Sequence, residues 1–153
     1  MRALELKIPP VVIVLLLGAA MTVLAHFTPA FDLAVPANRV LATGLAGLGV
    51  GIALLGVRSF RQAGTTVNPL QPAAASQLVV AGIYRRTRNP MYLGMLLVLL
   101  GWAMFLTNAL AFPAATAFIP LMNRLQIGPE ERILAATFGP AFTAYQSTVR
   151  RWL

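Results

Sequence analysis

Hydrophobic and polar positions fall along this chain in long blocks rather than at short periods. Ile8 to Phe31 holds no Asp, Glu, Lys or Arg, and its apolar centre runs from Pro10 to Ala25. Val40 to Val57 is a second uncharged block, and Asn89 to Asn123 is a third. A helix that crosses a bilayer needs about 20 mostly apolar residues, with a range of about 17–25. The first two blocks fit one span each. The third is too long for one. Thr107 and Asn108 near its middle, with Pro113 and Pro120 beyond, predict a tight helical hairpin with arms near Met91–Leu106 and Ala109–Met122. Both arms are short, so a three-span reading stands open beside the four-span one.

Charge separates the two. Lys and Arg collect in short loops on the cytoplasmic side. Four spans place Arg2, Lys7, Arg58, Arg61, Arg85, Arg86, Arg88, Arg124, Arg132, Arg150 and Arg151 on one side and only Arg39 on the other. Three spans move the last four across and largely erase the bias. The expectation is an all-α integral membrane protein with about four transmembrane helices, amphipathic C-terminal helices and both termini cytoplasmic. Val23-Leu24-Ala25 before His26 resembles a signal cleavage site, but the apolar stretch exceeds the roughly 7–15 residues of a signal core, so it reads as a retained helix.

Composition agrees. The 153 residues make one domain, with 8–58 as a two-helix part and 60–153 as the polar-bearing part. The chain is 58% hydrophobic and 10% charged, against about 25% charged in a soluble protein, too little to cover a water-exposed surface. That content also excludes disorder. With no Cys there is neither a disulfide scaffold nor a thiolate metal site. The lone His26, expected in an outer loop, has no partner ligands, so no metal is expected. The net charge of +8 then reports loop placement rather than a nucleic-acid partner.

Several segments have ordinary explanations. In the second span, Gly44, Gly47, Gly49, Gly51 and Gly56 do not form a nucleotide loop, because the Gly-x-Gly-x-x-Gly spacing fails after Gly49-Val50-Gly51 and no strand precedes it. Close helix packing through Gly47-x-x-x-Gly51 is expected instead. Gln62 to Leu78 is a polar connector in which Pro69 and Pro72 forbid a continuous helix, with a short helix at Ala73-Ala74-Ala75-Ser76. Gly128-Pro129-Glu130-Glu131 reads as a helix start, its acids near the positive dipole end, and Gly139-Pro140 as the break before another helix. Ile133, Leu134, Phe138, Phe142, Tyr145 and Val149 recur at helical spacing, which predicts an amphipathic tail on the membrane face. Trp152 suits the interfacial belt.

The chemistry concentrates in two places. Gly82-Ile83-Tyr84-Arg85-Arg86-Thr87-Arg88-Asn89-Pro90-Met91-Tyr92-Leu93-Gly94 is a polar and aromatic run at the mouth of the third span, and Glu130-Glu131 is an acid pair in a chain with four acids. Basic residues flank spans and acids begin helices as a matter of course. A hairpin of two short spans, however, returns the chain to its starting face. It brings the glutamates near Arg88 and Tyr92, around a pocket suited to a zwitterionic ligand with a hydroxylated sugar and a flat base.

Arg88-Asn89-Pro90-x-Tyr92-x-Gly94, then a hydrophobic hairpin, then Glu130-Glu131, resembles the Arg-His-Pro-x-Tyr-x-Gly … Glu-Glu signature of integral membrane methyltransferases, the isoprenylcysteine carboxyl methyltransferase and phospholipid N-methyltransferase family. Leu134, Phe138-Gly139, Phe142, Tyr145 and Val149 resemble that family's tail, with Phe142 in a tyrosine place. Thr65-Thr66-Val67-Asn68-Pro69 is similar to the connector of bacterial members. The likeness covers about Phe60 to Leu153.

The resemblance implies S-adenosylmethionine as methyl donor, bound from the cytosol, with a lipophilic or small acceptor, a carboxylate or an amine, entering from the bilayer of a bacterial inner membrane. It implies cofactor binding by Gly82, Tyr84, Arg88, Asn89, Tyr92, Gly94, Glu130 and Glu131, and catalytic roles for Asn89, Tyr92 and Arg124. Arg88 is expected on the cofactor carboxylate, Glu131 on its ribose or ammonium, and Glu130 as support or helix cap. Arg124 is expected on an anionic acceptor. Asn89 departs from the family His and cannot titrate near neutrality, which keeps a non-catalytic assembly or cofactor-binding protein of the same fold as the alternative.

Overall fold

A computed structural model describes residues 4–66, 70 and 72–153. Arg2 and the Val67-Asn68-Pro69 part of the connector lie outside the described residues. The elements are α1 (Pro10–Phe27), α2 (Asn38–Gln62), α3 (Pro90–Leu106), α4 (Ala111–Thr116), α5 (Phe118–Met122), a π-helical segment (Asn123–Ile127), α6 (Gly128–Phe138) and α7 (Pro140–Thr148), with short 3₁₀ turns at Pro29–Phe31, Pro72–Ala74 and Gly82–Arg85. The described residues are all-helical, apart from an isolated antiparallel bridge between Asp32 and Asn108.

Helices α1 and α2 are each long and apolar enough to cross a membrane, and little of either is buried by protein. Leu15 is 66% exposed and Leu54 62%. Val11, Leu16, Val40, Leu48 and Leu55 extend the same outward faces. Soluble monomers rarely expose contiguous apolar patches of this extent. Helix α3 is apolar but shorter.

Helix α3 is the central element. One side packs along α2, and the other meets α1, α4 and α5. Leu96, Leu99 and Ala103 of α3 join Ile13 and Met21 of α1 and Ala111, Ala115, Phe118 and Met122 of the returning arm in one core. The α2–α3 contact is backbone against backbone. A Cβ built on Gly49 meets the Gly94 carbonyl oxygen at 2.5 Å, and one on Gly94 meets the Gly49 carbonyl oxygen closer still. A Cβ on Gly101 would meet the Ala42 carbonyl oxygen at 2.8 Å. The expected Gly47-x-x-x-Gly51 contact is therefore corrected. A Cβ on Gly44, Gly47 or Gly51 meets nothing within 4 Å, because the buried stripe of α2 runs through Ala42, Gly49 and Gly56 instead.

The expected hairpin is present. Thr107 ends α3 in the left-handed region, and the fully buried Asn108 ties the turn down. Its Nδ2 donates to the Thr28 carbonyl at 2.9 Å and to Asp32 Oδ1 at 3.0 Å, while its Oδ1 accepts the Leu110 N–H at 3.0 Å. The returning arm differs from expectation. It does not stop at Met122 and restart at Gly128. It stays helical from Ala111 to Phe138, apart from a turn residue at Ala117, through the π segment. Pro129 has no N–H for the Leu125 carbonyl, and the Leu6 N–H takes that carbonyl at 2.9 Å. The Gln126 side chain donates to the Ile8 carbonyl at 2.6 Å. Residues before α1 are thereby laid along the irregular turn.

The tail also departs from a membrane-facing reading. Phe142 is buried, and Trp152 Nε1 donates to Asn123 Oδ1 at 3.1 Å with its ring edge-on to Phe118. Partners inside the protein draw Trp152 away from a purely interfacial role. His26 sits in the last turn of α1 rather than in a loop. The short helix expected at Ala73–Ser76 is the 3₁₀ turn Pro72–Ala74.

Gly94→Val should cost about 3 kcal/mol or more, the top of the overpacking range, because unyielding backbone faces the new side chain. Gly47→Ala should be neutral or stabilise by up to about 1 kcal/mol. Thermal unfolding of both variants in detergent checks this, and equal losses would restore the Gly47/Gly51 contact.

Candidate functional site

The end of α3 that follows Asn89 meets α6 and α7 across a pocket enclosing about 850 Å³ of space, its open mouth included. Phe60 of α2, Ala75 and Val79 of the connector, Tyr84 of the third 3₁₀ turn, Met91 and Tyr92 of α3, and Phe142 and Tyr145 of α7 form largely apolar and aromatic walls. Arg88, Asn89, Glu130 and Glu131 supply the polar groups.

The π segment aims the glutamates. Met122 and Ile127 both belong to the core that α3 shares, and they are five residues apart rather than four. One extra residue turns everything that follows by about 100° around the helix axis. With that shift Glu130, Glu131 and Leu134 face the pocket. Gly128 closes the segment, and a Cβ there would meet the Asn123 carbonyl oxygen at 2.9 Å. The expected capping role of Glu130 is corrected. The residues before α6 are already helical, and no side chain caps it.

Glu131 accepts hydrogen bonds from two arginines. Arg88 Nη2 donates to its Oε1 at 2.7 Å, Arg151 Nε to the same oxygen at 3.1 Å, and Arg151 Nη2 to Oε2 at 2.5 Å. Burial alone raises this carboxyl, but hydrogen bonds from Arg151 and Arg88, with their charges, outweigh it and hold Glu131 below the ordinary carboxylate range. Arg88 Nη1 also donates to the Gln146 carbonyl at 3.0 Å and the Val149 carbonyl at 2.7 Å. Its Nε is buried with no hydrogen-bond partner. Both terminal nitrogens of Arg88 are thus engaged within the protein, and its Nε is the donor left over.

Glu130 is different. Its Oε1 accepts the Tyr92 hydroxyl at 2.5 Å, and no described residue donates to its Oε2. Burial raises its pKa to about 7; the Tyr92 hydrogen bond opposes the rise and the Glu131 charge adds to it. Burial also raises the Tyr84 phenol, with Tyr145 and Glu130 contributing, and pushes Tyr145 up to about 12 against the opposing Arg88 charge. Both phenols are therefore protonated donors near neutrality. Tyr145 donates to the Tyr84 carbonyl at 2.7 Å, and Tyr84 meets Phe60 edge-on at 5.4 Å.

The chain's last residues close one side. Asn89 Nδ2 donates to the Arg151 carbonyl at 2.9 Å, Thr87 Oγ1 to the same carbonyl at 3.3 Å, and the Arg88 N–H to the Arg150 carbonyl at 3.0 Å.

Among the residues singled out from the sequence, Tyr84, Arg88, Asn89, Tyr92, Glu130 and Glu131 line this pocket. Three do not. Gly94 is committed to Gly49, Gly82 lies beside Ser59 Oγ in a left-handed turn, and Arg124 is exposed on the π segment. Arg151, Phe60 and Met91 were not singled out for the site. Arg151 was visible only as one of several tail arginines, and no periodicity distinguishes Phe60 or Met91. Among the described residues, no group of three or more His, Cys, Asp or Glu side chains is placed to hold a metal ion.

An all-helical protein with two helices long and apolar enough to cross a membrane, and an aromatic-walled pocket carrying a few charged groups, is the class this geometry defines. The family model for phospholipid methyltransferases matches residues 37–141, and the chain belongs to that family. An uncharacterized protein of Haemophilus influenzae is 44% identical over 63 residues, which is 41% of this chain and all of that relative. No solved structure matches the chain.

Glu131→Gln leaves a buried guanidinium without its counter-charge and should destabilise the protein by about 3–5 kcal/mol at pH 7. Arg151→Ala should cost less, since Arg151 is 38% exposed. The two glutamates also give opposite pH signs. Stability from Glu131 is present above its ordinary range and is lost as pH falls through its lowered folded value. Glu130 in the folded state retains a proton that the unfolded chain releases between 4.5 and about 7, so stability falls as pH rises through that window. Glu130→Gln should therefore gain on the wild type more at pH 8 than at pH 5, measured by thermal unfolding in detergent.

Proposed function

We propose that the protein is a membrane methyltransferase that uses S-adenosylmethionine and acts on a lipophilic or small acceptor. One observation carries the reading. Arg88, Asn89 and Tyr92 from the start of α3 converge with Glu130 and Glu131 of α6 on a single pocket.

The lining fits the donor's chemistry. Five aromatic rings, Phe60, Tyr84, Tyr92, Phe142 and Tyr145, suit a flat base and a sulfonium cation. Asn89 and Glu131 supply acceptors for hydroxyl or ammonium groups. A carboxylate has about four lone-pair sites, and Glu131 uses three on the arginines. Arg88 positions Glu131 and the tail, and its Nε is left to meet the ligand. The cofactor supplies a methyl group already activated by positive charge. The chain's own residues orient the reactants and keep water out, and orientation of this kind contributes about 7–11 kcal/mol.

In this reading α3 and the arm from Ala111 add two spans to α1 and α2. The pocket then faces the cytoplasm of a bacterial inner membrane, with both termini on that side. The skew of Arg58, Arg61, Arg85, Arg86, Arg124 and Arg150 toward that side supports it. With no native cysteine, Ser76→Cys and Ser147→Cys should label from the same side of the membrane. Labelling from opposite sides would remove this topology.

Binding is tested by heat unfolding with S-adenosylhomocysteine. At about 100 times its dissociation constant it should add about 2.7 kcal/mol of stability. Ala75→Trp, which fills the pocket from the connector, should abolish the gain while leaving the protein folded. No shift in the wild type at millimolar ligand would reject the methyltransferase reading.

A further inference from the structure

We propose that Glu130 takes a proton from the methyl acceptor, and that the acceptor is therefore a nucleophile that arrives protonated, an amine, thiol or phenol, rather than a carboxylate. This rests on the methyltransferase reading above and names a proton acceptor and a substrate class for it.

The two glutamates are adjacent in sequence and opposite in circumstance. Glu131 is neutralised by Arg88 and Arg151 and has little capacity left for a proton. Glu130 forms no ion pair with any described residue. The groups facing it are the Tyr92 hydroxyl from α3, Tyr84 from the turn before α3, and Glu131 on its own helix, with Arg88 and Arg151 turned to Glu131. Tyr92 fixes one oxygen of Glu130, no described residue donates to the other, and the residue lines the pocket. Its titration near neutrality, raised first by burial, matches what a general base at working pH requires.

A carboxylate acceptor is already an anion at neutral pH and needs no base. It would also meet Glu130 as a like charge in a desolvated site. An ammonium, thiol or phenol must lose a proton before its lone pair is free. The N–H, S–H or O–H proton passes to Glu130 Oε2. The freed lone pair forms the bond to the donor methyl carbon as the carbon–sulfur bond breaks, and that electron pair stays on sulfur as a thioether. The protonated Glu130 then returns its proton to water at the pocket mouth. The surrounding rings favour a cationic amine over a neutral acceptor.

Four probes with one tail separate the classes: dodecylamine, dodecanethiol, dodecylphenol and dodecanoic acid, each offered with labelled S-adenosylmethionine to the full chain in detergent. Wild type, Glu130→Gln and Tyr92→Phe are compared. S-adenosylhomocysteine stabilisation is measured on all three, so that a lost methylation rate is separated from lost binding. An infrared carboxyl band should titrate near pH 7 in the wild type, vanish in Glu130→Gln and move upward in Tyr92→Phe, which loses the hydrogen bond favouring the charged form. Label should reach the amine, thiol or phenol, and Glu130→Gln should lower that rate by about 10²–10⁴-fold. Label on dodecanoic acid, label on none of the four, an unchanged Glu130→Gln rate, or no band titrating near pH 7 each overturn this proposal. In all four cases a retained S-adenosylhomocysteine shift leaves the methyltransferase reading standing. Should Glu130→Gln not fold, the wild-type and Tyr92→Phe titrations still decide.

Discussion

One carboxylate holds together parts of the chain that are far apart in sequence. Glu131 of α6 receives Arg88 from the start of α3 and Arg151 from the tail, and Arg88 reaches on to the Gln146 and Val149 carbonyls. Charges buried to this degree persist only when paired and hydrogen-bonded. Here Glu131 takes both arginines and Arg88 takes two tail carbonyls as well, so the tail, α3 and α6 have one mutual arrangement. The pocket is the space that arrangement leaves. The same bonds commit Glu131 to holding the site, and leave Glu130, one residue earlier, outside the ion pairs of the described residues.

That division of labour depends on an irregular helix. Prolines at 113, 120 and 129 each remove a backbone donor from the returning arm. The helix absorbs them with a turn residue at Ala117 and a π segment, and the freed Leu125 carbonyl is taken by Leu6. The extra residue between Met122 and Ile127 lets one element face the apolar core first and the pocket afterwards. π turns recur at functional sites because they re-aim side chains without breaking the helix.

In the apolar part, close backbone packing joins the helices. Gly49, Gly94 and Gly101 allow α2 and α3 to meet backbone to backbone. That contact fixes α3, which carries Arg88, Asn89 and Tyr92 at its mouth. Asn108 serves the opposite end by satisfying the turn where no water would reach it. A packed glycine seam and a buried amide thereby define the height and angle of the pocket's central helix.

The uncharged blocks, the breaks at Thr107-Asn108 and Gly139-Pro140, and the pairing of the Arg88–Gly94 run with Glu130-Glu131 were all legible in the chain itself. Each is a local pattern with a direct physical cost if violated, such as a charge in lipid or a proline inside a helix. Partner choice was not legible. Gly47-x-x-x-Gly51 and the Gly49 stripe look alike in sequence, and only α3 lying on one face distinguishes them. Glu130 and Glu131 are the same residue type side by side, and a one-residue shift in helical phase separates their environments. Arg151 is one tail arginine among several until the chain folds back. The sequence by itself determined which segments are apolar, where they turn and which chemical groups are available. The tertiary structure alone decided which of those groups are neutralised and which stay free, because that depends on distances between residues whose separation along the chain carries no information about their contact.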